Sequence, residues 1–143
     1  MRVVLLRCML TKQHAIVMWV IWFAQLQAAF VFQWFLASGF SEGKNLEAPM
    51  ATLIWLICLA PLVLATGIRW RSLPKLAEPT KQLIEMIAGL ALCETSVLSS
   101  LFLAARDYPQ YQIGILMVAV FAIIQFAPSY ATPGYALKSS DEA

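Results

Sequence analysis

The sequence predicts an all-α integral membrane protein, a four-helix bundle with both termini in the cytoplasm. Three observations lead to this prediction: an apolar composition, four long apolar runs, and an uneven distribution of lysine and arginine. Of the 143 residues, 61% are hydrophobic and 13% are charged, and the mean hydropathy is +0.73. Soluble domains contain roughly 45 to 50% apolar and about 25% charged residues. So short a chain has too little polar surface to enclose so apolar a body in water, which excludes most soluble enzymes and disordered tails.

Four apolar runs have the length that a membrane helix needs. A hydrocarbon core about 30 Å thick is crossed by roughly 20 helical residues. The runs cover about residues 15–36, 50–68, 83–105 and 111–130. Backbone amides inside a bilayer must be satisfied within their own segment, and the runs show no alternation of period two, so helices are predicted instead of barrel strands. Too little sequence remains for a second domain, and 1–143 is predicted to be one membrane domain.

The two chain ends are predicted to lie outside the bilayer core. Residues 1–14 mix apolar residues with three cations, and we expect them to form a short segment in the cytoplasmic interface. Residues 131–143 are predicted to form a polar tail. The first apolar run is longer than the core of a usual signal peptide, so it is predicted to stay in the membrane.

The positions of lysine and arginine predict the orientation of the bundle. Eight of the ten precede the first run, lie between the second and third runs, or lie in the tail; the other two are Lys44 and Arg106. Short loops with positive charge resist translocation. Both termini and the middle loop are therefore expected in the cytoplasm. Anionic headgroups are a sufficient partner for cations spread along one membrane face, so no nucleic acid is expected.

The sequence contains no pattern typical of a catalytic, metal or cofactor site. It has one histidine, His14, and its three cysteines, Cys8, Cys58 and Cys93, show no C-x-x-C spacing. Metal and haem sites need clusters of histidine, cysteine or carboxylate. No nucleophile-elbow, zinc-protease or phosphate-loop motif occurs. We therefore expect a protein that is not an enzyme and that needs no metal or cofactor.

One carboxylate, Glu94, falls at the midpoint of the third run. An ionised carboxylate at mid-bilayer is costly, on the order of 2.5 to 3.5 kcal/mol on insertion scales. We therefore expect Glu94 to be protonated at neutral pH and hydrogen-bonded. The first run places Gln25 and Gln27 at the same depth, and a neutral amide can bond a carboxyl group in either protonation state. Only one of these amides is expected to face Glu94, because they lie on different sides of a helix. The three residues form a candidate proton or ion site, or a packing contact.

Small residues share another face of the third predicted helix. On a helical wheel this face contains Ala88, Gly89, Ser96, Ser99 and Ser100. Small residues allow close approach of helix backbones in lipid. The face is therefore predicted to pack against a neighbouring helix, and the side with the mid-span carboxylate is predicted to lie outside that contact.

The third and fourth runs resemble a known group of proteins. The segment 91–95, Ala-Leu-Cys-Glu-Thr, follows a basic loop, and the short fourth run ends in Gln-Phe-Ala-Pro at 125–128. This arrangement resembles small uncharacterised four-helix proteins of bacterial inner membranes. The resemblance implies a multi-pass protein of a bacterial cytoplasmic membrane.

The central hairpin, residues 50–105, also resembles the proteolipid subunit of rotary ATPases. It has a basic, proline-containing loop and a mid-membrane carboxylate on its second helix. That similarity implies carriage of protons or sodium by Glu94. The chain departs from that family in its first hairpin helix, where Gly67 is the sole glycine and Pro61 interrupts the run. Small multidrug exporters also have four helices and one buried glutamate, but theirs lies on the first helix, where this chain has glutamines.

The expected function is that of a non-enzymatic accessory or assembly subunit. Its expected partners are the lipid bilayer and other membrane subunits, or a second copy of the chain. Two alternatives remain: translocation of a proton or cation through Glu94, and export of a small solute by a homodimer. A carboxyl sealed among leucine and glutamine side chains favours packing, whereas a continuous polar path to either surface favours transport.

Overall fold

A computed structural model of the protein describes residues 2–37, 49–76 and 78–131, with the backbone alone for 2–12 and for 131. Within these residues the fold is all-helical and has four α-helices, as predicted. The helices are α1 (Arg2–Leu36), α2 (Thr52–Gly67), α3 (Pro79–Leu103) and α4 (Pro109–Gln125). The predicted polar tail and the loop that contains Lys44 lie outside the described residues.

Three of the described helical segments are long and apolar enough to cross a membrane. They are Gln13–Leu36, Thr52–Lys75 and Pro79–Leu103. The fourth helix has 17 residues, about 25 Å at 1.5 Å per residue, and is shorter than the predicted run 111–130. It ends at Gln125 because Pro128 lacks an N–H and its ring disfavours a helical turn before it.

The first two helices differ from the predicted segments at one end each. α1 begins at Arg2, so residues 2–14 are its first turns and not a separate element. α2 continues past Gly67 into a π-helical turn, Ile68–Ser72, and a 3-10 turn, Leu73–Lys75. The basic loop predicted between the second and third runs is therefore largely helical.

Successive helices run in opposite directions. His14 Nε2 in α1 lies 3.1 Å from the carbonyl oxygen of Pro79, the first residue of α3. At the other end, the rings of Trp55 in α2 and Tyr111 in α4 lie 5.5 Å apart between centroids. The N-terminal ends of α1 and α3 thus lie at one end of the bundle, and those of α2 and α4 lie at the other.

One end of the bundle is rich in cations. Arg69, Arg71 and Lys75 follow α2, and Lys81 lies in the first turns of α3. We call this the basic end. In the opposite described loop, between α3 and α4, the single lysine or arginine is Arg106. The helices therefore bring together the cations that the sequence scatters along the chain.

α3 is the central helix. It packs against α1, α2 and α4, and the pairs α1–α4 and α2–α4 also make contact. Its side chains Met86, Leu90, Cys93 and Val97 are fully buried. Many large apolar side chains of the other helices are exposed on the outside of the bundle, which is typical of helices that face lipid.

Candidate functional site

Glu94 meets α1 at mid-height of the bundle. Its carboxyl lies beside the side-chain amide of Gln25, and both side chains are half-buried, whereas Gln27 is exposed. Gln25 is therefore the amide that reaches Glu94. The Oε1 atom of Gln25 is buried and has no hydrogen-bond partner among the described residues. A protonated carboxyl could donate to that oxygen, and the Gln25 amide N–H can donate to the carboxyl in either protonation state, so this contact is compatible with both forms of Glu94.

The helix faces around Glu94 are apolar. One turn to either side on α3 lie Leu90 and Leu98, and one turn to either side of its glutamine partner on α1 lie Ile21 and Ala29. Along these two described helices, no polar side chain continues the pair toward either end at the positions one turn away. A path for ions or protons needs successive polar groups or water. Among these positions, Glu94 and Gln25 form a single polar pair between two helices.

The predicted small face of α3 is only partly a packing surface. Gly89, Ser96 and Ser100 are buried, and Ser99 is half-buried. Ala88 is exposed and does not belong to the buried face of α3 within this chain. The buried face of α3 extends toward its large apolar residues and is therefore rotated relative to the predicted small-residue face.

The side of α3 that includes Glu94 is also in contact with other helices. Leu90 and Val97 are fully buried and Leu101 is 7% exposed, although the sequence predicted this side to lie outside the packing contact. The buried stripe thus runs from the small residues across to these large ones. Glu94 lies at its edge beside α1.

Two of the buried small residues on α3 make direct contacts with other segments. The hydroxyl of Ser96 donates a hydrogen bond to the backbone oxygen of Cys58 in α2. Gly89 lies under the ring of Phe126, and a Cβ atom at this position would overlap the ring. Both contacts require a small side chain on α3, which agrees with close helix approach.

A buried amide pair joins α1 to α4 and was not predicted. Gln33 and Gln112 are 1% and 2% exposed. Gln112 Nε2 donates to Gln33 Oε1 at 2.6 Å, and Gln33 Nε2 donates to Gln112 Oε1 at 3.3 Å. Each amide gives and receives a hydrogen bond, which offsets much of the cost of burying it. The two residues lie 79 positions apart, and no local pattern in the sequence links them.

At the basic end, Arg69 joins α2 to the end of α4. Its Nε donates to the backbone oxygen of Gln125, and its guanidinium lies 5.3 Å from the Trp70 ring centre and 5.1 Å from that of Tyr130. Trp70 Nε1 donates to Gln125 Oε1 at 3.1 Å. The last carbonyls of a helix lack partners within it, so a cation at this position stabilises the end of α4.

Comparisons with known proteins assign no family to the chain. No protein-family model matches it, and searches of curated proteins and of solved structures found no similar protein. The described residues include no group of three or more histidine, cysteine or carboxylate side chains placed to hold a metal ion.

Proposed function

We propose that the protein is a non-enzymatic accessory or assembly subunit of a membrane complex, and that a partner helix docks at the edge of α3 beside Glu94. One observation carries the proposal: Glu94 is half-exposed at the middle of α3, with the amide of one glutamine beside it and apolar positions around it. Exposure of a polar side chain to lipid is unfavourable in free energy. A hydrogen bond to a neighbouring membrane helix reduces this free-energy cost.

The exposed strip of α3 next to Glu94 suits a docking helix. Ala91 and Ile87, one and two turns before Glu94, are exposed. Alanine leaves room for a second backbone to approach. The nearby Thr95 hydroxyl already donates to the backbone oxygen of Ala91 at 2.8 Å. The Glu94 carboxyl is therefore the polar group of this strip that can bond to a docking helix.

The orientation belongs to the same proposal. The basic end faces the cytoplasm of a bacterial cell, and all four helices cross the inner membrane, α4 with a short span. The support is the collection of Arg69, Arg71, Lys75 and Lys81 at one end, because cationic loops are retained in the cytoplasm. The lipid bilayer is then the first partner of the chain.

Two other functions compete with the subunit role. Passage of a proton or cation through Glu94 needs a polar route, and the neighbouring positions on α1 and α3 are apolar. Export of a small solute by a homodimer needs a second copy of the chain as the docking partner. Identification of what co-purifies with the protein separates all three.

The experiment is purification of the full chain in mild detergent as wild type, Glu94→Gln and Glu94→Leu. A partner held by a neutral hydrogen bond should remain with Glu94→Gln and be lost from Glu94→Leu, while helicity is unchanged. Thr95→Val is the matched control, because its hydroxyl is satisfied within α3. A wild type that purifies alone, or a partner that stays with Glu94→Leu, contradicts the subunit proposal. Proton uptake by reconstituted vesicles that is lost in Glu94→Gln identifies a carrier instead.

A second measurement reads the protonation state of Glu94. A hydrophobic carbodiimide reacts with protonated carboxyl groups in lipid, so it should label the purified wild type and leave Glu94→Gln unlabelled. Bound partner should protect the carboxyl and slow the reaction. An infrared carboxylate band at neutral pH that disappears in Glu94→Gln shows an ionised group and contradicts the neutral hydrogen bond.

A further inference from the structure

A groove runs between α2 and α4 and is open to the outside of the bundle. Its walls include Leu59 and Val63 of α2 and Val118 and Phe121 of α4, and it ends at Thr66 and Gln125. The walls are apolar, and both polar side chains lie at the end nearest the basic end. The hydroxyl of Thr66 is already bonded to the backbone oxygen of Leu62 at 2.8 Å. The groove therefore combines a long apolar floor with a single polar end.

Hydrogen-bond donors are available where the groove ends. Gln125 accepts from Trp70 at its Oε1 and from Arg69 at its backbone oxygen, which leaves its Nε2 amide able to donate. Arg69 uses Nε for this contact, and its terminal guanidinium N–H groups bond to no other described residue. A guanidinium forms strong, charge-assisted hydrogen bonds with a phosphate group.

The surroundings of this polar end favour an anion at a membrane surface. Arg71 and Lys75 are exposed nearby and add positive charge. Trp70 is 63% exposed, and tryptophan is enriched at membrane interfaces. Arg69 and Trp70 both lie in the π-helical turn Ile68–Ser72, a type of turn that is frequent at functional sites.

We infer that this groove binds an anionic phospholipid, with one acyl chain between α2 and α4 and the phosphate against Arg69 and Gln125. The apolar walls match the chain, and the donors at the basic end match the headgroup. A free phosphate ion could bond to the same donors, but it would not fill the apolar groove between α2 and α4. The site lies on α2 and α4 and is independent of the proposed contact at Glu94.

The experiment measures which lipids remain with the purified full chain. The protein is exposed in detergent to an equimolar mixture of phosphatidylglycerol and phosphatidylcholine, and native mass spectrometry counts the lipids retained. We expect about tenfold preference for phosphatidylglycerol, because its headgroup has a net negative charge, whereas the phosphate of phosphatidylcholine is offset by a choline cation that Arg69, Arg71 and Lys75 repel. Equal retention of both lipids overturns the proposal.

Two pairs of variants locate the site. Val118→Trp fills the groove and should abolish the preference for phosphatidylglycerol. Val31→Trp on α1 is the control and should keep that preference. The two valines are similarly exposed, Val118 at 51% and Val31 at 48%. Arg69→Gln should lower the preference about tenfold, and Arg106→Gln, at the opposite end, should not. Arg69 also bonds to the end of α4. Should Arg69→Gln fail to fold, the comparison of Val118→Trp with Val31→Trp tests the site instead.

A competitor distinguishes a lipid from a free phosphate. Glycerol phosphate carries an anionic phosphate without acyl chains, so it should not displace phosphatidylglycerol at equal concentration. Its failure to compete, with loss of the lipid in Val118→Trp, supports the proposal. Displacement by glycerol phosphate, or equal lipid retention by Val118→Trp and Val31→Trp, overturns it.

Discussion

The ring of Phe126 lies against Gly89, so the end of α4 closes over the first half of α3. Phe126 is fully buried and is among the largest side chains of the core. The ring occupies the space that any side chain at position 89 would take. A glycine is therefore required at this position by packing alone.

Replacement of Gly89 tests this contact. Gly89→Ala should lower the free energy of unfolding by about 1 to 3 kcal/mol, since the ring must move to admit a methyl group. Gly114→Ala is the control, because no atom lies within 4 Å of a Cβ built there and alanine favours a helix. Thermal unfolding in detergent, followed by circular dichroism, measures both. Equal midpoints for the two variants would show that the ring does not constrain position 89.

Two serines on α3 are predicted to differ. Ser96→Ala removes the hydrogen bond to the backbone oxygen of Cys58 and should cost about 0.6 to 1.5 kcal/mol, in the range of hydrogen bonds between membrane helices. Ser99→Ala should have a milder effect, because Ser99 is only half-buried. Denaturant unfolding of the two variants in the same detergent measures the difference. A larger loss for Ser99→Ala would contradict the assignment of the α2–α3 contact.

The amide pair is suited to a double-mutant cycle. Gln33→Leu or Gln112→Leu alone leaves a buried amide without its main partner and should cost about 1 to 3 kcal/mol. The double variant should cost less than the sum, with a coupling of roughly 0.6 to 2 kcal/mol. Additive losses would mean that the two amides do not depend on each other.

Reporter fusions test the orientation. Fusions after Lys44 and after Asp107 should report the periplasm, and fusions after Lys75 and at Ala143 should report the cytoplasm. The first and last of these positions lie outside the described residues, and the other two lie at opposite ends of the bundle. A cytoplasmic signal after Asp107 would mean that α4 does not cross the bilayer.

The helices could be predicted from the sequence because length and hydropathy are enough to identify membrane spans. The ends of the helices could be predicted less accurately. Pro128 stops α4 earlier than its hydropathy suggests, and the turns after Gly67 stay helical although they are charged. In α4 the backbone chemistry of proline, and not hydropathy, decides where the helix ends.

The packing face of α3 could be predicted only in part. In a soluble helix the polar side marks the surface, but in lipid both sides are apolar and this signal is absent. Gly89 and Ser96 were identified by their size, while Leu90 and Val97 could not be told from side chains that face lipid. The same difficulty left Gln25 and Gln27 equivalent until the structure placed Gln25 beside Glu94.

The central position of α3 has a consequence for biosynthesis. α1 and α2 share no extensive contact in the described residues, and each packs on α3. In the proposed membrane arrangement, helices enter the bilayer in the order in which they are made, so α1 and α2 enter before the helix on which both of them pack. The core can form only after the third helix leaves the insertion machinery.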